Sequence, residues 1–363
     1  MPVRLIGTAA TAAVLVLTLS GCDGRDAEPT STPVIVGSAP SVVSESTTSA
    51  PTPFGKTEVI VDYSPTVSDV GALLYLLSHP DVDVVAITLP VTGEAGCDLG
   101  IDVTLRILAL FGRGSIPVAC GLEMPPSAKP WPSSFLDGQE FLASGLPEPV
   151  GGRSDLAAHD LIAEVVAKTP GPVELLAVGP LTNVAEFLDR HPDATGEIER
   201  IVIMGGAVEV AGNVEGTGAE WNIWVDIAAA ADVIGSGVPI MMVPLDATDA
   251  VPVPNGWETT VDSATQTPSI EYLGELVGRF PAVTSGFFYL WDELAATVAA
   301  GEGLVTLDER TISVVEEQGQ DLGRTVLDPA GARVVVGSGV PDPEGFYEHF
   351  LSTLARAPQA LDD

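Results

Sequence analysis

The chain has 363 residues, 46% of them hydrophobic, which is enough to bury one large core or two modest ones. Its formal net charge is −35, with only 15 Lys and Arg against 50 Asp and Glu. Such a surface repels polyanions, and its few basic residues are scattered rather than striped. Nucleic acid is therefore excluded as a partner, and the acidity reads as a well-hydrated surface.

At the amino terminus an apolar run over 5–19 is preceded by Arg4 and followed by Ser20, Gly21 and Cys22. The run is shorter than the roughly 20 residues a helix needs to cross a bilayer. Small residues leading into a cysteine are the layout of a secretory signal. Leu19-Ser20-Gly21-Cys22 resembles the bacterial lipobox, which implies removal of residues 1–21 and acylation of Cys22. The expectation is an exported chain, lipid-anchored to the membrane at the cell surface. Residues 22–56 are rich in Ser, Thr and Pro, with no apolar period able to offset the entropy of ordering, and are expected to be a flexible tether.

From residue 57 onward β-branched runs alternate with amphipathic stretches. Strands are predicted over 58–62, 82–89, 116–120, 173–178, 200–204 and 239–243, and helices over 69–77, 101–111, 157–168 and 182–190, the last capped by Thr182. Alternation of this kind predicts one α/β domain over 57–363, a mostly parallel, Rossmann-like sheet flanked by helices. Ligands in such folds bind beyond the carboxyl ends of the strands, so the residues just after each strand are the informative ones. Within this domain Cys97 and Cys120 either form a disulfide, if the chain leaves the reducing cytosol, or are two small buried hydrophobes.

Asp62, Asp69, Asp246, Asp249 and Asp292 lie near strand ends or helix starts. Several oxygen ligands converging on one point suit Ca²⁺, while each aspartate taken singly reads as a helix cap or loop residue. Asn213, Glu220 and Asn222, on a Gly-rich loop, supply two amides and a carboxylate. That set suits a sugar diol, which needs donors and acceptors at fixed separation, or else satisfies the loop's own backbone. His79, His159, His191 and His349 fall on no recognisable motif and read as structural or surface residues. The absence of a phosphate loop, a Cys-x-x-Cys site and a Gly-x-Ser-x-Gly elbow removes several enzyme classes.

The stretch Ala177-Val178-Gly179-Pro180-Leu181-Thr182-Asn183, then Ile203-Met204-Gly205-Gly206, Gly212-Asn213, Glu220-Trp221-Asn222, Pro244-Leu245-Asp246 and Trp291-Asp292, resembles the inosine-uridine-preferring nucleoside hydrolases, in the family's order. The resemblance implies that family's fold, hydrolysis of the N-glycosidic bond of ribonucleosides, and one Ca²⁺ that holds the attacking water and two ribose hydroxyls. It implies Asp69, the carbonyl of Thr182 and Asp292 as metal ligands, and Asn213, Glu220 and Asn222 as the grip on ribose. Trp291 is expected against a purine-type base, with Phe135 or Trp131 on the other face.

Where the family reads D-x-D-P-G-x-D-D, this chain reads Asp62-Tyr63-Ser64-Pro65-Thr66-Val67-Ser68-Asp69, and for V-x-G-N it reads Val91-Thr92-Gly93-Glu94. Ser64 then stands in place of the carboxylate that takes a proton from water. A serine hydroxyl is a poor base near neutral pH and brings no charge to a dication, which leaves Asp62 or Glu94 to replace it. Two functions follow: an N-ribohydrolase of reduced activity, or a catalytically impaired surface lipoprotein that binds a nucleoside or ribose. Assembly into a homo-oligomer stays open.

Overall fold

The computed structural model describes residues 56–132, 135, 139–280, 286 and 288–356. The signal, Cys22 and all of the tether but Lys56 lie outside the described residues.

Nine strands form one mixed sheet: β1 Thr57–Asp62, β2 Val82–Leu89, β3 Val118–Cys120, β4 Val173–Ala177, β5 Ile198–Met204, β6 Ile240–Val243, β7 Thr306–Val314, β8 Thr325–Leu327 and β9 Ala332–Gly339, in the spatial order β3-β2-β1-β4-β5-β6-β9-β7-β8. Pairing is parallel from β3 through to β9. The period of two along each strand divides the core in two. Val59 and Val61 of β1, with Val202 and Met204 of β5, face one layer; Ile60, Ile201 and Ile203 face the other. The first layer is covered by helices α1 (Val67–Ser78), α2 (Gly96–Leu110), Pro268–Arg279, Trp291–Ala299 and Pro343–Leu354. The second is covered by Ala158–Lys168, Thr182–Arg190 and Ile227–Ile234. Among the described residues no helix is long and apolar enough to cross a membrane.

Two expectations are corrected. The carboxyl-terminal part, where no strand was predicted, adds β7 and β8 as an antiparallel edge. Its strand β7 carries Asp308, Glu309 and Arg310 and is largely open to solvent, so it has the polarity of a loop although its backbone is paired. Thr182 does not cap its helix. Leu181 occupies the cap, and the Thr182 hydroxyl instead donates to Asp226 Oδ2 at 2.7 Å and meets the Thr92 hydroxyl at 2.8 Å. By contrast α1 begins two residues before its expected start because the Thr66 side chain accepts from the Asp69 N–H, a capping contact that fixes Asp69 in the first turn.

Candidate functional site

A cavity of about 650 Å³ opens at the carboxyl ends of the central strands, with Val178 just past β4 and Met204 at the end of β5 in its wall. Asp69, Glu94, Trp131, Phe135, Asn213, Glu220, Asn222, Trp291 and Asp292 all line it, together with Ser64 and Ser68. Asp62 and Thr182 do not. Asp246 and Asp249 are also elsewhere; the Asp246 carboxylate accepts the Val208 and Glu209 N–H groups at 2.8 Å each, which makes it a loop fastener.

Asp62 is fully buried behind the cavity, where Oδ1 accepts from the Thr88 hydroxyl at 2.6 Å and the Asn183 amide at 2.7 Å, while Oδ2 has no partner. Burial pushes its carboxyl up to about 7. Asp69 Oδ1 accepts the Ser64 N–H at 3.0 Å and Oδ2 accepts from the Thr66 hydroxyl. Asp292 follows Trp291 at the start of its helix. Burial raises both carboxyls well above the usual range; the charges of Glu94 and Glu293 raise Asp69 further, and those of Asp69, Glu220 and Glu94 raise Asp292. Two such groups in one dry wall are a demand for a cation or for protons.

Glu94 lies on the loop before α2. Its Oε1 accepts from the Gln139 amide at 2.6 Å, and burial lifts its carboxyl to about 7 against that hydrogen bond. Trp131 Nε1 donates to the Thr92 carbonyl at 2.8 Å, which ties one aromatic wall to the same loop. The loop is also fastened covalently: Cys97 at the start of α2 and Cys120 at the end of β3 are joined as a disulfide, Cα atoms 5.9 Å apart.

Glu220 caps the short helix Trp221–Val225, its two oxygens accepting N–H groups of Asn222 at 3.0 Å, Gly206 at 3.0 Å and Ile223 at 3.2 Å. Burial brings it to about 7 despite those bonds. The Asn222 amide nitrogen donates to the Val178 and Met204 carbonyls at 3.1 Å each, and Asn213 Oδ1 accepts the Trp221 N–H at 3.1 Å. The three side chains therefore serve the loop's backbone and also line the cavity. By subtraction, Asn222 offers a ligand its acceptor oxygen and Asn213 its donor nitrogen.

Aromatic rings form two groups on the wall. Trp131 and Trp221 stack at 5.3 Å with Phe135 tilted against Trp221 at 5.5 Å, while Phe280 stacks on Phe141 at 5.5 Å and meets Phe288 edge-on at 5.4 Å, with Trp291 next to Phe288 at 5.7 Å. Sequence reasoning missed Trp221, Phe141, Phe280 and Phe288, although Trp221 stood inside the Glu220-Trp221-Asn222 signal. It read the four histidines as structural or surface residues. Among the described residues, two groups of ligand-type side chains, His79 with Glu302 and His349 and His159 with Asp160 and His191, have the spacing to hold a metal ion, and neither lines the cavity.

An α/β sheet bearing buried carboxylates, amides and aromatic rings at its carboxyl edge defines a small-molecule site. Residues 59–348 match the family described as inosine-uridine preferring nucleoside hydrolase, and the chain belongs to that family. The pyrimidine-specific ribonucleoside hydrolase RihA of Shewanella baltica is 40% identical over 191 residues, covering 52% of this chain and 59% of that enzyme's length. The enzyme of that name from Shewanella sp. strain ANA-3 is 32% identical over 82% of this chain and 96% of its own. Among solved structures, the inosine-uridine preferring nucleoside hydrolase of Bacillus anthracis superposes with a TM-score of 0.74 at 25% identity, covering 82% of this chain and 99% of the other. The purine-preferring ribonucleoside hydrolase of Gardnerella vaginalis does so with 0.71 at 27%, covering 82% and 98%.

Proposed function

We propose that the chain hydrolyses the N-glycosidic bond of ribonucleosides in this cavity, with Glu94 as the base. The observation that carries the reading is the convergence of Asp69, Asp292 and Glu94 with Asn213, Glu220 and Asn222 on one aromatic-lined space. The donor set is oxygen-only, and its buried carboxylates repel one another, so it fits a hard dication such as Ca²⁺ held by Asp69 and Asp292. Ca²⁺ bound there would neutralise these charges and acidify a water molecule.

The protein's own groups do the rest. The Asn213 nitrogen and the Asn222 oxygen complement the donor and acceptor faces of a ribose diol. Glu94, at about 7, is poised near neutrality to take the proton as water oxygen bonds to the anomeric carbon. As the C–N bond breaks, its electron pair leaves with the base, and the oxocarbenium-like charge on the sugar is stabilised by the neighbouring carboxylates, as in glycosidases. Flat rings on two sides suit either base size, in keeping with relatives named for pyrimidine and for purine preference.

A second reading, a binding lipoprotein with little turnover, is favoured by Ser64 and Ser68, hydroxyls in the wall where the resemblance leads one to expect carboxylates. Export and anchoring through Cys22 belong to the proposal and rest on the amino-terminal sequence alone. The test is release of free base from uridine, cytidine and inosine in the presence of Ca²⁺. Turnover abolished by Glu94→Gln with nucleoside binding retained supports the hydrolase. Binding without turnover in the native chain supports the second reading, and neither binding nor turnover ends both.

A further inference from the structure

His159 and Asp160 open the helix Ala158–Lys168, and His191 closes the helix Thr182–Arg190. Packing of the two helices brings three donor atoms to one point: His159 Nδ1 lies 3.4 Å from His191 Nε2 and 3.3 Å from Asp160 Oδ1, and His191 Nε2 lies 2.9 Å from Asp160 Oδ1. We propose that these three side chains bind a divalent transition cation of the zinc class.

The geometry is that of one face of a tetrahedron. Ligands about 2.0–2.1 Å from a tetrahedral ion stand roughly 3.3 Å apart; two edges of this triangle, 3.4 and 3.3 Å, have that length and the third, 2.9 Å, is shorter, and the fourth corner is left for water. Two imidazoles and one carboxylate select zinc, cobalt, nickel or copper rather than Ca²⁺, so this site differs in kind from the all-oxygen wall of the cavity.

Ring orientation supports the same conclusion. The His159 ring is buried and turns Nδ1 toward His191 and Asp160, while its buried Nε2 has no hydrogen-bond partner to fix the tautomer. His191 is steadied by stacking on Phe187, ring centroids 6.2 Å apart. Asp160, only 43% accessible along its side chain, gives an ion a way in.

The other histidine group is built differently. His79 Nδ1 accepts the Asp81 N–H at 3.2 Å, so its proton sits on Nε2 and is donated to Glu302, while the Tyr75 hydroxyl occupies His349 Nε2 at 2.8 Å. In that group the Asp81 N–H and the Tyr75 hydroxyl, neither a member of it, occupy ring nitrogens, whereas the hydrogen bonds of His159, Asp160 and His191 run among themselves, which makes the first group the control.

The full chain, stripped with chelator and supplied with excess Ca²⁺ to fill the carboxylate wall, is titrated with Co²⁺ and then with Zn²⁺. The expected result is the intense visible absorption of four-coordinate Co²⁺, displaced by Zn²⁺, with affinity at least about tenfold weaker in His191→Gln and in Asp160→Asn and unchanged in His349→Gln. If circular dichroism shows His191→Gln unfolded, Asp160→Asn at its half-open position decides. No Co²⁺ or Zn²⁺ binding by the native chain, binding indifferent to both substitutions, or binding lost in His349→Gln overturns the proposal.

Discussion

Ser68 donates its hydroxyl proton to Glu293 Oε2 at 2.8 Å, across 225 residues of chain, and the Ser68 hydroxyl oxygen accepts the Asp292 N–H at 3.3 Å. One serine thus buckles α1 to the helix Trp291–Ala299 beside the two cavity aspartates. Gly71 makes the room: a Cβ there would lie 2.2 Å from Glu293 Oε1. Burial, and then Asp292, push the Glu293 carboxyl well above its usual range, so the space already holds as much acid as it tolerates. Ser68→Asp, which looks like a return to the family pattern, is expected to cost at least about 2 kcal/mol by setting a second carboxylate against Glu293. Glu293→Gln in the same chain should restore most of it. Urea unfolding measures both, and a Ser68→Asp chain as stable as the native one contradicts the contact.

Turnover should follow the charge on Glu94. With its carboxyl near 7, kcat/KM for nucleoside hydrolysis is expected to rise with pH up to about 7 and level off above it. Glu94→Gln should erase that limb and lower kcat by about 10²–10⁴-fold. Gln139→Ala removes the donor that favours the charged form, so the limb should move to higher pH. A limb unmoved in both variants would assign the base elsewhere.

Stability should run the other way with pH. In the folded state Asp62, Glu94 and Glu220 hold their protons up to about 7, against ordinary values of 3.8 for Asp and 4.5 for Glu once unfolded. Between those limits the folded chain binds more protons, so their contribution is complete below about 4 and is lost as pH rises through 7. In chelator, Tm is expected to fall over that interval, and Ca²⁺ should lift it most at the upper end. A Tm that climbs from pH 4 to 7 would refute the raised values.

Reducing the Cys97–Cys120 bridge, which closes a separation of 23 residues, is expected to cost about 3 kcal/mol of stability. Because the bridge fastens the Glu94 loop, paired Cys97→Ala and Cys120→Ala changes should also raise KM for a nucleoside. Denaturant melts with and without reductant check the first effect and steady-state kinetics the second; coincident melts would show that the bridge does not hold the fold.

What was legible in the chain follows from how each segment is buried. β1, β2, β4, β5 and β6 are covered on both faces, so they read as short, largely apolar runs. β7 and β8 close one side of the sheet, where β7 turns charged side chains to water and so has a loop's composition, and β8 is only three residues long. At the site, Asp69, Asp292 and the Asn213 to Asn222 group stood out in the chain as carboxylates at element ends and polar groups on a Gly-rich loop, signals equally those of caps and self-satisfied loops, and family order was what set them together. Phe141, Phe280 and Phe288 look in sequence like ordinary core aromatics, and only the fold turns them toward one space. The His159–His191 meeting, across 32 residues, has no sequence period at all.

Glu220 carries a consequence of its own. The carboxylate in the cavity wall is also what holds the amide protons of Gly206, Asn222 and Ile223. A sugar hydroxyl donating to Glu220 must share those oxygens with the backbone, so occupancy of the cavity is written into how fast these three protons exchange with deuterium. Exchange at Gly206, Asn222 and Ile223 would then be a label-free gauge of binding, as useful for a ligand that is never cleaved as for one that is.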